Sequence, residues 1–260
     1  AGLAGRPEKG VFISGSRSQR SIPKAAQDSL DAIIKQGIGI LIGDSDRGVD
    51  SEIIDFLRAP LYEHVTIYTI FGSPRVAPEP EWGVRSIEAD ASLKSQQRQM
   101  AKDRAMANDA DWGLALFNPI EKNRYGALQV SSGTLRNTIQ MLIQGKVVKF
   151  FYVFEGEMAC RNLKKLDDLE SLIAGYESEC LSNSEELILS AKGVSPDDDA
   201  AQVKSKKIMT KYRSLLKDEK KLAGSNDGGT AACEQSAQQG SSKEPAHHGE
   251  LVQPSLFDLA

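Results

Sequence analysis

Five short apolar runs, spaced by segments of helical periodicity, constrain this chain more than any other feature. They are "VFISG" (11–15), "IGILIG" (38–43), "VTIYTIFG" (65–72), "WGLALF" (112–117) and "KVVKFFYVF" (146–154). Between them lie "PKAAQDSLDAIIKQG" (23–37), "GVDSEIIDFLRA" (48–59), "SLKSQQRQMAKDRAMANDAD" (92–111) and "SGTLRNTIQMLIQG" (132–145). In the first of these, Ala26, Leu30, Ile33 and Ile34 recur at helical spacing between Pro23 and a stop at Gly37. Runs that are apolar throughout, rather than alternating, belong to strands buried on both faces. Strands separated by helices must be joined by right-handed crossovers. The expectation is a doubly wound α/β domain over residues 11–155, with about five parallel strands in the order 3-2-1-4-5.

The chain changes character after that. Residues 156–222 read as a helical extension: "LKKLDDLESLIAGY" and "SEELILSAK" within 161–192, then the basic amphipathic "VKSKKIMTKYRSLLKDEKKL" (203–222). Residues 223–250 carry almost no large apolar side chain and are expected to be disordered. Apolar residues return in 251–260. The first ten residues, "AGLAGRPEKG", lack the apolar stretch of a signal peptide and read as a flexible leader.

Composition excludes some classes. A hydrophobic content of 40% supports a real core, and a net charge of −4 gives no global field for nucleic acid. Cys160, Cys180 and Cys233 show neither metal spacing nor a disulfide framework, so a reducing cytoplasm is expected. No apolar run approaches the roughly 20 residues of a membrane span.

Every candidate site segment follows a strand. "GSRS" (15–18) follows the first, "GDSDRGVD" (43–50) the second, and "SSGTLRN" (131–137) opens the helix after the fourth. In the expected sheet these loops share the carboxyl edge, and the crevice opens where the strand order reverses. Small residues let backbone N–H groups approach an anion, and a helix N-terminus adds partial positive charge. Arg17 can supply a two-pronged guanidinium. The inferred ligand carries a phosphate. The plainer readings are a turn at Gly15, a helix cap at Ser131, Ser132 and Thr134, and a solvated loop at Asp44, Asp46 and Asp50. Neither the glycine fingerprint of dinucleotide-binding domains nor a Walker lysine is present. Trp82 and Tyr125 are candidates to stack on a base, against the plainer role of loop anchors. The basic helix is a weak candidate for nucleic acid and reads more simply as a solvated face.

Together, "VFISGSRS", "ILIGDSDRGVDSEI", "RAMANDADWGLALF" and "SGTLRNTIQMLIQGKVV" resemble the SLOG superfamily of Rossmann-like domains. That group includes LOG-type nucleoside-monophosphate phosphoribohydrolases and the DNA-processing protein A domain. The resemblance covers about residues 11–153. It implies a nucleotide or nucleotide-derivative ligand, with magnesium as a candidate companion and no dedicated metal site. It implies contacts at Gly15, Ser16, Arg17, Gly43, Asp44, Asp46, Gly48, Asp50, Ser132, Gly133 and Thr134, and at Arg104, which matches the arginine before the fourth strand. LOG-type hydrolases carry Gly-Gly-x-Gly-Thr followed closely by glutamate. Here the stretch is "VSSGTLRN", with Arg136 and Asn137 where acids would fall. Binding therefore transfers better than hydrolysis. If the chain is an N-glycosidase, Asp44, Asp46 and Asp103 are the candidate replacement carboxylates. At the end of the chain, Gln253, Ser255, Leu256 and Phe257 resemble the bacterial sliding-clamp-binding motif, with Pro254 in place of leucine. That implies a clamp partner in DNA metabolism or defence. The sequence leaves homo-oligomerisation open.

Overall fold

The computed structural model describes residues 9–88, 90, 92–122, 128–154, 157–183 and 200–226. Its centre is a seven-stranded sheet in which the expected order, 3-2-1-4-5, appears intact. The corresponding strands are β3 (Val65–Thr69), β2 (Gly39–Gly43), β1 (Gly10–Gly15), β5 (Trp112–Phe117) and β8 (Val148–Phe154). All four junctions between them are parallel. One more strand lies at each edge. β4 (Gly83–Ser86) pairs parallel with β3, and β9 (Glu157–Leu163) pairs antiparallel with β8.

Successive side chains of a strand face opposite ways, and the two cores follow that alternation. Val11 and Ile13 of β1 face one core, with α1 (Lys24–Lys35) and α2 (Val49–Arg58) over it. Phe12 faces the other, under α3 (Ser95–Asp109) and α4 (Ser132–Ile143). The helix faces answer this pattern. Ala26, Leu30 and Ile33 of α1 are buried, as are Val49, Ile53 and Leu57 of α2. α5 (Leu166–Asn183) and α6 (Ala200–Asn226) extend the second core through Leu169 and Ile173, and through Ile208, Met209, Tyr212 and Leu215.

Three departures from the expected elements have local causes. Residues 161–163 continue β9 rather than opening a helix: Leu163 pairs with Val148 and is buried, and the helical period starts only at Leu166. The segment after β5 holds a small antiparallel pair, β6 (Ile120–Lys122) with β7 (Leu128–Val130). The basic helix is longer than its apolar pattern, because Ala200 and Asn226 bound it. Residues 184–192 and 227–260, including Gln253, Ser255, Leu256 and Phe257, lie outside the described residues, as does Tyr125. No helix among the described residues is long and apolar enough to cross a membrane.

Candidate functional site

The β1 and β2 loops are locked together before they form anything else. A Cβ at Gly15 would overlap the side chain of Val49, the first residue of α2. Gly48 has φ +74°, and a Cβ there would stand 2.5 Å from the Arg17 Cα. A side chain at either position would push the two loops apart, so glycine here is a condition of their contact.

Above these loops, at the carboxyl edge of the sheet, lies a cleft of about 280 Å³. The β1 and β2 loops, α3 and the first turn of α4 line it. Of the residues expected at the site, Gly15, Arg17, Gly43, Asp50, Ser132, Gly133 and Thr134 line it, and so does Asp103. Ser16, Asp44, Asp46, Gly48 and Arg104 do not, and each is placed elsewhere for a visible reason.

Ser16 is buried behind the cleft wall. Its Oγ donates to the Asn118 carbonyl at 3.0 Å and pairs with Ser131 Oγ at 2.8 Å. Asp44 is fully buried and holds the loop. It accepts from Thr69 Oγ1 at 2.8 Å and from Arg75 Nη2 at 2.9 Å. Burial opposes its ionisation, but the hydrogen bonds from Arg75 and Thr69 outweigh burial and hold the carboxyl below the ordinary carboxylate range. Asp46 is exposed beside Arg47. Arg104 points to the far side of α3, where its Nη2 meets Glu219 Oε2 of α6 at 2.9 Å. Trp82 is buried and donates to the Tyr62 carbonyl at 2.7 Å, which makes it a loop anchor.

The first turn of α4 is left open. Ser131 is the N-cap residue, yet its side chain makes no capping hydrogen bond. Its hydroxyl is committed to Ser16 instead. Thr134 and Asn137 are 3% and 7% exposed, and among the described residues Thr134 Oγ1 and Asn137 Oδ1 have no hydrogen-bond partner. A helix start without a side-chain cap, flanked by buried polar atoms without partners among the described residues, is arranged to receive a polar group from outside.

The opposite wall carries charge. Lys102 of α3 is 5% exposed, and its Nζ lies 3.3 Å from Asp103 Oδ1. Asp50, at the start of α2, completes the group. Burial pushes its carboxyl up to about 6, with Asp103 adding to the rise and the Lys102 charge working against it. Asp50 is therefore a carboxyl that exchanges a proton near neutrality. Basic side chains outnumber acidic ones around the cleft: Arg17, Arg47, Arg75, Lys102 and Arg136 against Asp50 and Asp103. Among the described residues, no group of three or more His, Cys, Asp or Glu is placed to hold a metal ion.

Lys102, Arg75 and Arg136 were not expected as cleft residues. Lys102 had a readable signal, since it lies four residues before the buried Met106 and so falls on the inward stripe of α3. Arg75 had none, because it comes from the long loop after β3 and reaches the cleft only through its pairing with Asp44. No protein-family model matches the chain, and no curated protein matches it.

Proposed function

We propose that the cleft binds the phosphate of a nucleotide or nucleotide derivative and that the protein acts as a binding or sensing module. The open first turn of α4 carries this reading. Its cap residue is committed elsewhere, and Thr134 and Asn137 bring polar atoms without partners among the described residues to a cleft whose charged side chains are mainly cations. An anion there would gain the helix dipole, backbone donors and charge-assisted bonds together. A cleft of about 280 Å³ suits a mononucleotide-sized group better than a long polyphosphate chain.

One observation favours a second reading, a nucleotide N-glycosidase. Asp50 lines the cleft with a carboxyl that titrates near 6, a range suited to proton transfer. It is a better candidate than Asp44, whose oxygens are committed to Arg75 and Thr69. In either case, the terminal residues Gln253, Ser255, Leu256 and Phe257 would tether the activity to a bacterial sliding clamp.

Mass spectrometry of small molecules released from the purified full chain tests the binding reading, with calorimetric titration of nucleotides as its quantitative arm. The expected result is a co-purifying nucleotide or a measurable affinity for one. A chain that releases none and binds none overturns the reading. Release of free base from nucleoside monophosphates on the order of 1 s⁻¹, an ordinary enzymatic rate, establishes the glycosidase reading instead.

A further inference from the structure

The C-terminal helix reaches the cleft through one buried carboxylate. Glu219 of α6 is 3% exposed. Its Oε2 accepts from Arg104 Nη2 at 2.9 Å and from Gln140 Nε2 at 3.1 Å. Its Oε1 faces Arg136 Nε at 3.5 Å, and among the described residues neither of those two atoms has a hydrogen-bond partner. One oxygen is thus firmly held and the other sits in a loose ion pair. Arg136 belongs to α4, close to the open first turn, and it also lines the cleft.

We propose that Arg136 is shared between Glu219 and an anion in the cleft, so that ligand binding and the seating of α6 oppose each other. This rests on the anion-binding reading above. When it turns toward the cleft, Arg136 gives up the 3.5 Å ion pair but no hydrogen bond from its Nε to any described residue. Glu219 then keeps Arg104 and Gln140 but loses a neighbouring charge inside a buried contact, where charge matters most. The ligand therefore loosens α6, including its buried stripe of Ile208, Tyr212 and Leu215. By linkage, the seated helix weakens anion binding by the same factor.

The alternative role for Glu219 is an anchor with no bearing on the cleft, and affinity separates the two. The probes are AMP and inorganic pyrophosphate, titrated by calorimetry into the full wild-type chain and into Glu219→Gln, which keeps the size and hydrogen-bonding reach of the side chain. The Gln variant should bind about fivefold more tightly, at the low end of ordinary coupling. Hydrogen exchange on the wild type needs no variant at all. Saturating probe should speed amide exchange in residues 208–222, and Glu219→Gln should lose that response. Equal or weaker binding by the variant, or a helix whose exchange is unmoved or slowed by bound probe, overturns the proposal while leaving the binding site standing. If neither probe binds the wild type, the anion site itself falls, and this coupling with it.

Discussion

Gly43 and Asp50 occupy the same small space. A Cβ on Gly43 would stand 2.6 Å from Asp50 Oδ2 and 2.8 Å from Lys102 Nζ. The end of β2 is therefore the floor on which a partly exposed carboxyl and a buried ammonium rest. Gly43→Ala should displace both, and because they are the ends of flexible side chains the cost should sit at the low end of the overpacking range, about 1 kcal/mol. Denaturant titration reads the stability. The same variant should lose at least about tenfold in affinity for a bound nucleotide, since about 1.4 kcal/mol is a factor of ten. A variant of wild-type stability and affinity would show that the Asp50–Lys102 arrangement is not rigid.

Asp50 also gives the protein a pH dependence whose sign is fixed by its environment. Its folded carboxyl titrates at about 6, above the ordinary 3.8. A raised carboxyl means the native state holds the proton more tightly than the unfolded chain. Its contribution is fully present below about pH 4 and is lost as the folded carboxyl ionises, so stability falls as pH rises from about 4 to about 6 and levels off beyond. The loss should be on the order of 2–3 kcal/mol. Asp50→Asn removes this slope, so wild type and variant should diverge between about pH 4 and about 6 in chemical denaturation. Anion affinity should fall over the same window as the carboxylate charge appears. Parallel stability curves for the two proteins would place the ionised carboxylate in a better-solvated setting than its burial implies.

The order of the sheet could be read from the sequence because it depends on patterns that repeat. Continuous apolar runs such as Ile40–Ile42 and helical stripes such as Leu30 with Ile33 each report a local burial. β4 escaped such reading since all four of its residues are exposed, leaving no apolar signature. β9 escaped because an edge strand's residues alternate only weakly. The site was legible to the level of loops and not of side chains. Asp44 and Asp50 sit six positions apart in one loop region of one composition, yet one is locked by Arg75 and the other faces the cleft. What separates them is a residue 31 positions beyond Asp44, a long-range fact with no local trace.

Arg17 is an exposed arginine of the cleft lining whose backbone packs against Gly48. If it grips a phosphate out of bulk water, Arg17→Ala should weaken nucleotide binding by about 1.5–3 kcal/mol. Arg17→Lys should recover only part of this, because an ammonium cannot reproduce a guanidinium's paired bonds. Calorimetry on both variants checks the prediction. Unchanged affinity in the alanine variant removes Arg17 from the site and leaves Arg136 and Lys102 as the cations to test.

The last residues of the chain make a prediction of their own, independent of the cleft. Leu251, Val252, Leu256, Phe257 and Leu259 follow a long stretch nearly devoid of large apolar side chains. A short apolar segment gains by inserting into a preformed hydrophobic groove on a partner. Glutamine at 253 offers both a donor and an acceptor for the rim of that groove, and adjacent Leu256 and Phe257 can fill its floor. Proline at 254 forfeits one apolar contact, so the affinity should be moderate. A peptide of residues 248–260 should bind a bacterial sliding clamp with a Kd of roughly 1–50 μM, near −6 to −8 kcal/mol. Replacing both Leu256 and Phe257 with alanine should abolish the interaction, whereas Val252→Ala should leave most of it. Fluorescence anisotropy of a labelled peptide resolves these differences. A wild-type peptide that stays unbound at about 500 μM clamp, some tenfold above the weakest expected Kd, would rule out the clamp as the partner of this segment.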